Sequence, residues 1–200
     1  MIFEEEQPML YDLIHKTRSF RRFKENEPVD MTTLRSLVEL ARLGGSARNV
    51  QPLKYILINA PAVNAKIFPC LGWAGYLKNW PGPEKGERPA AYIVCLLDTR
   101  LSHDADCDLG IATQNILLGA SEKGFGGCRI ASISPKLRNV LELDDHLQIL
   151  VVMAIGKPAE AVSLENLELE GDIKYWRDAE GVHHVPKRPL QEIIAGEFAG

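Results

Sequence analysis

Four short clusters in the chain carry side chains able to do chemistry. Arg18-Ser19-Phe20-Arg21 places two guanidinium groups and a hydroxyl within four positions. In an extended segment residues 19 and 21 share a face, where hydroxyl and guanidinium can grip one phosphate together. Ser46-Ala47-Arg48-Asn49-Val50-Gln51-Pro52 offers small and amide side chains, donors and acceptors suited to the edge of a planar heterocycle. Gly126-Gly127 allows close approach of a ligand to backbone, because no Cβ intrudes. Lys187-Arg188 adds a second cationic pair far along the chain. No side-chain nucleophile stands out, and no residue is assigned a catalytic role.

Three other patterns do not hold up. Gly124-Phe125-Gly126-Gly127-Cys128-Arg129 starts like a dinucleotide fingerprint, but its sixth position is Arg and it is expected to follow a helix, not a strand. Asp104, Asp106 and Asp108 have calcium-loop spacing, yet Gly110 is one place late and Asn115 stands where a bidentate Glu belongs. Capping of a helix is the expected role of Asp104 or Asp106. His183-His184 are adjacent in an extended segment, so they point opposite ways, and no carboxylate is expected nearby. The four cysteines, Cys70, Cys95, Cys107 and Cys128, form no CxxC pair, so neither a structural zinc nor any other metal is expected.

Hydrophobic spacing supplies the elements that must hold these clusters. Met9 to Lys16 reads as a short amphipathic helix. Asp30 caps a second, whose Leu34, Leu37, Val38 and Ala41 follow i, i+3, i+4, i+7 spacing up to Gly44-Gly45. Strands are expected at Lys54 to Ile58, Ala91 to Leu97 and Gln148 to Ile155. Pro61 opens a third helix, and Ser134-Pro135 a short later one. Asp106 to Lys123 forms a long helix, apolar nearly all round and stopped by Gly124, as in helices buried in a large core or between subunits. Gly72 to Gly86 is a loop rich in Gly, Pro and aromatics, long enough to suggest a functional role. After Pro158 a polar, acidic segment leads to a tail, Ile173 to Ile194, expected to wrap a partner.

Composition narrows the function classes. The chain has 200 residues, 46% of them hydrophobic, with a net charge of -4. That is one domain's length, enough to bury a core without disulfides. The acidic balance argues against a nucleic-acid binder. His15 to Lys24 nevertheless gathers Lys16, Arg18, Arg21, Arg22 and Lys24 with no acid among them, which suggests a local anion site. The longest apolar runs fall short of the ~20 residues of a membrane span. The acidic MIFEEEQP lacks the basic region of a secretion signal, so a cytoplasmic protein is expected.

Taken in order, six motifs resemble the nitroreductase family of FMN-dependent oxidoreductases. They are Arg18-Ser19-x-Arg21, Ser46-x-x-Asn49-x-Gln51-Pro52, Asp108-x-Gly110-Ile111-Ala112-x-Gln114-Asn115, Gly124-x-Gly126-Gly127, Gly156-Lys157-Pro158 and the late basic pair. The resemblance runs from about Leu10 to Ile194. It departs at Thr17, where many relatives carry Arg, and Arg22 or Lys187 would compensate.

The resemblance implies an α+β fold, a central mainly antiparallel sheet flanked by helices. It implies one FMN-binding domain over residues 1–200, with 158–200 an extended tail exchanged in an intertwined homodimer. FMN would lie between the subunits. Arg18, Ser19 and Arg21 would hold its phosphate and pyrimidine side, and Ser46, Asn49 and Gln51 would line the ring. Backbone after Gly126 and Gly127 would cover one ring face, and Arg188, with Lys187 as second choice, would reach the phosphate. NADH or NADPH would reduce the flavin, and a nitroaromatic or quinone would take the electrons in ping-pong fashion. One alternative keeps the fold but assigns reductive dehalogenation or flavin delivery. Another is a flavin-free protein whose basic cluster docks an acidic partner.

Overall fold

A computed structural model describes residues 10–168 and 170–199; Met1–Met9, including the expected first residue of the opening helix, fall outside them. The elements in chain order are α1 (Leu10–Lys16), α2 (Met31–Arg42), β1 (Leu53–Ile58), α3 (Pro61–Ile67), β2 (Ala91–Asp98), α4 (Asp106–Glu122) and β3 (Gly126–Ile130). There follow α5 (Lys136–Val140), β4 (Leu147–Gly156), β5 (Val162–Asn166), β6 (Trp176–Arg177), β7 (His183–Lys187) and α6 (Leu190–Ile193).

The main sheet has strand order β1-β2-β4-β3, with every pair antiparallel. β2 is buried along its whole length, because helices cover both faces of the sheet. Side chains alternate across a strand. Tyr92, Val94 and Leu96 therefore meet Phe23, Ile67 of α3 and Leu137 of α5. Ile93 and Cys95 meet Leu34 and Leu37 of α2 and Ile116 and Ala120 of α4. An antiparallel strand usually alternates apolar and polar; β2 reads as a continuous apolar run because neither of its faces meets water.

The helix ends follow the local chemistry. Asp30 Oδ1 accepts the Thr33 N–H at 2.6 Å, as an N-cap should. The N-cap position of α4 is instead Ala105, with no side-chain cap, and Asp104 Oδ1 one place earlier accepts the Asp106 N–H at 3.0 Å. α4 stops at Gly124, whose φ of 72° suits glycine. There Gly124 N–H donates to Ser121 and Phe125 N–H to Ala120, which closes the helix and turns the chain straight into β3. Sequence spacing did not indicate β3, since Gly-Gly is a poor strand former.

The chain after Pro158 has more structure than a plain extended tail. β5 pairs parallel with β7, and β6 antiparallel with it, in a three-stranded sheet. Beyond Lys187, Leu190, Ile193, Ile194 and Phe198 are exposed. Among the described residues no helix is long and apolar enough to cross a membrane.

Candidate functional site: a cationic cavity and a strained loop

The segment Arg18–Arg21 lies along the start of β3. Ser19 and Gly127 form a parallel bridge, and Phe20 N–H donates to the Gly127 carbonyl at 3.1 Å. Here the two glycines serve the fold. A Cβ on Gly126 would strike the Phe20 ring, and one on Gly127 would run into the Ala154 carbonyl oxygen. They set how closely the strip packs on the sheet, where the sequence had suggested close approach of a ligand.

Glu160, which no sequence signal marked, fastens the strip from the other side. One carboxylate oxygen accepts the backbone N–H groups of Arg21 and Arg22. The other accepts from Arg177 Nη2 of β6 at 2.7 Å, and only 1% of the Glu160 side chain is exposed.

Arg21 Nη1 is in turn held by the Ser19 carbonyl at 3.3 Å and by His183 Nε2 at 3.1 Å. Its guanidinium lies 4.8 Å from the centre of the Tyr175 ring. Accepting at Nε2 requires a neutral imidazole, and burial, followed by the nearby Arg21 charge, lowers the His183 pKa to about 4. The expected opposite orientation of the two histidines holds. The expected lack of carboxylates does not, because His184 bridges Glu165 and Asp178 at 2.7 and 2.9 Å.

These residues enclose a cavity of about 360 Å³, lined by Thr17, Arg18, Ser19, Arg21, Gln114, Leu117, Arg129, Tyr175, His183, Val185 and Lys187. Four of them are cationic and none is a carboxylate. Arg18 Nε is buried with no partner among the described residues, and burial lowers the Arg18 pKa. A cavity wall with four cations and no carboxylate suits an anion with several acceptor oxygens. Arg188 is elsewhere, paired with Glu192 at 2.9 Å, so Lys187 is the tail cation at the cavity. Arg22 pairs with Glu87 at 3.2 Å.

The second predicted cluster sits apart from the first. Asp108, buried in the first turn of α4, accepts from Ser46 Oγ at 2.6 Å and from Ala47 N–H at 2.9 Å. Ser46 Oγ then accepts the Gln51 N–H at 2.8 Å. Within this loop Arg48, Asn49 and Gln51 have φ of 51°, 58° and 53°. Such left-handed residues cost about 1–3 kcal/mol each and persist where their surroundings fix them; Asp108 supplies that anchor. Asn49 and Gln51 are exposed. Ser46 and Gln51 line a different cavity, of about 420 Å³, with Arg35, Arg42 and Lys54.

Arg129, Gln114, Tyr175 and His183 were not among the expected site residues, although Gln114 lies in one of the six motifs and His183 was weighed only as a metal ligand. Arg129 was findable once β3 is known, since it shares a strand face with Gly127.

No protein-family model matches the chain. An NADPH-dependent oxidoreductase of Staphylococcus epidermidis is 23% identical over 175 residues, which cover 76% of this chain and 65% of that protein. The match thus spans just under two thirds of that relative. An iodotyrosine deiodinase of Thermotoga neapolitana is 24% identical over 168 residues, 75% of this chain and 89% of that one. A nitroreductase of Desulfovibrio desulfuricans, solved in complex with FMN, superposes with a TM-score of 0.67 at 22% identity, covering 97% of this chain and 99% of its own. The chain has the nitroreductase fold. The antiparallel sheet with helices on both faces, expected from the resemblance, is the observed architecture.

Proposed function

We propose that this protein is an FMN-dependent oxidoreductase that uses NADH or NADPH to reduce a small acceptor such as a nitroaromatic or quinone. The observation that carries the reading is the cavity with four cations and no acid, in a chain whose fold is shared by a nitroreductase solved in complex with FMN. Its donors fit a phosphate, with Arg18, Ser19 and Lys187 as the grip. When bound, FMN supplies the hydride chemistry and the protein orients it. Arg21, fixed by His183 and by the Glu160 hold on its backbone, presents a rigid positive charge to the pyrimidine side. Fixed charge of that kind stabilises negative charge developing there without reorganisation.

In this reading the protein is a cytoplasmic homodimer of a single FMN-binding domain. Ser46, Asn49 and Gln51 belong to the other copy's cofactor, because within one chain Ser46 and Gln51 lie at a different cavity from Arg18 and Asn49 shares their loop. Leu10, Tyr11 and Ile14 of α1, with Leu43 and Ile111, form exposed apolar surface for the contact. The exposed apolar residues after Lys187 reach to the partner, carrying Arg188. Tyr76 packs at a tilt against Tyr175, ring centres 4.9 Å apart, so the aromatic loop at residues 72–86 borders the cavity and shapes the acceptor side.

Visible absorbance and molecular mass test this together. A yellow dimer with one FMN per chain, bleached anaerobically by NADH or NADPH, is expected. A preparation that stays colourless with added FMN refutes it and favours a docking protein for acidic partners. The deiodinase relative gives the second reading its footing: bleaching with turnover of iodotyrosine, but none of menadione or nitrofurazone, selects reductive dehalogenation. Bleaching without turnover of any of them selects flavin delivery.

A further inference from the structure

Arg129 extends from β3 into the cationic cavity, and the way it is held leaves its charge unanswered. Its Nε donates to Thr113 Oγ1 at 2.7 Å and its Nη2 to Gln114 Oε1 at 3.0 Å. Both acceptors are neutral, and Nη1 has no partner among the described residues. Arg129 takes part in no ion pair there. None of the residues lining the cavity beside Arg129 is a carboxylate, so its free Nη1 faces a wall suited to an anion. The neighbouring position cannot serve: Thr17 Oγ1 turns back to donate to Leu13 at 2.7 Å.

We propose that Arg129 grips the phosphate of the bound cofactor, with Nη1 donating beside Arg18, Ser19 and Lys187. The two neutral hydrogen bonds pre-set the plane of the guanidinium, so little side-chain freedom is lost when the anion arrives. Arg129 thereby supplies from the sheet the cation that position 17 lacks.

The inference rests on the FMN reading, and its test separates the two. Full-length protein stripped of flavin is titrated with FMN and with riboflavin, followed by quenching of flavin fluorescence, for the parent, Arg129→Gln and Arg129→Lys. Loss of one charge-assisted contact weakens FMN binding about tenfold or more. Expected, then, is such a loss in Arg129→Gln, a smaller loss in Arg129→Lys, and riboflavin affinity unchanged in both. Inorganic phosphate competes with FMN in the parent and less well in the variants. Equal FMN affinity in parent and variants overturns the proposal, as does an equal loss for FMN and riboflavin. Should Arg129→Gln fail to fold, the FMN-to-riboflavin contrast in Arg129→Lys decides alone. A parent that binds neither flavin refutes the functional reading instead.

Discussion

Replacing Glu160 by Gln tests whether the strip and the tail are held as one unit. The substitution keeps a carbonyl that accepts from Arg21 and Arg22 N–H, and it removes the charge that Arg177 needs. Only 1% of the Glu160 side chain and 12% of the Arg177 side chain are exposed. Deleting one member of a buried pair costs about 3–5 kcal/mol, because the other charge stays behind unpaired. The Trp80 ring, 4.7 Å from the Arg177 guanidinium, compensates in part, which sets the expectation near the lower end, about 3 kcal/mol. For a chain of this length 1 kcal/mol moves Tm by about 2–4 °C, so Glu160→Gln should melt roughly 6–12 °C below the parent. Adding Arg177→Met should recover a good part of the loss, since no charge is then stranded. Thermal melts followed by circular dichroism provide the measurement. A single variant melting within about 2 °C of the parent, or a double variant no better than the single, refutes the latch.

Other outcomes follow from the same geometry. Arg21→Ala should weaken FMN by about 1.5–3 kcal/mol in a flavin titration; unchanged affinity removes Arg21 from the site. Gly127→Ala forces a methyl against the Ala154 carbonyl and should cost about 3 kcal/mol in urea unfolding, whereas an unaltered midpoint would deny the packing role. His183 and His184 should give opposite pH slopes. Burial lowers the His183 pKa to about 4 from 6.5, so its contribution is complete above 6.5 and is lost as pH falls towards 4. Asp178 and Glu165 raise that of His184, so its contribution is complete below 6.5 and is lost as pH rises through the higher value. Proton NMR titration of the two rings checks both, and a common midpoint near 6.5 refutes both.

What could be read in the sequence divides along physical lines. β2, β4, α2 and α4 were legible because a two-sided core demands long apolar runs and a helix demands its 3.6-residue spacing. β3 was hidden by Gly-Gly, whose requirement is the closeness of Phe20 and Ala154, contacts no local pattern reports. The small sheet was hidden because β5 and β7 are polar and pair across a long separation. At the site, Arg18, Ser19, Arg21 and Lys187 were legible as a cationic set with a hydroxyl. Sequence favoured Arg188 over Lys187; within one chain Arg188 pairs with Glu192 one helical turn on, while Lys187 lines the cavity. Asp108 and Glu160 act through tertiary neighbours, and Arg129 is brought to the cavity only by the pairing of β3, so side-chain type alone could not single them out.

In the proposed dimer, the geometry of α4 accounts for two clusters of one chain meeting only as a pair. At 3.6 residues per turn, each step along a helix rotates about 100°. Asp108, which anchors the Ser46 loop, and Gln114, which lines the cationic cavity, therefore stand about 120° apart around α4. Ile111 falls midway between them, and it is 37% exposed although the helix is otherwise largely apolar and packed. A planar ligand held at Gln114 does not reach the Ser46 loop of its own chain without crossing Ile111. In the proposed dimer a second copy packed over Ile111 would bring its own loop to that ligand. Ile111→Glu should then give a folded monomer by sedimentation, since the side chain lies outside the core, and FMN binding should fall with the loss of the pair. A monomer that keeps parental affinity shows that one chain suffices. An intact dimer places the contact elsewhere.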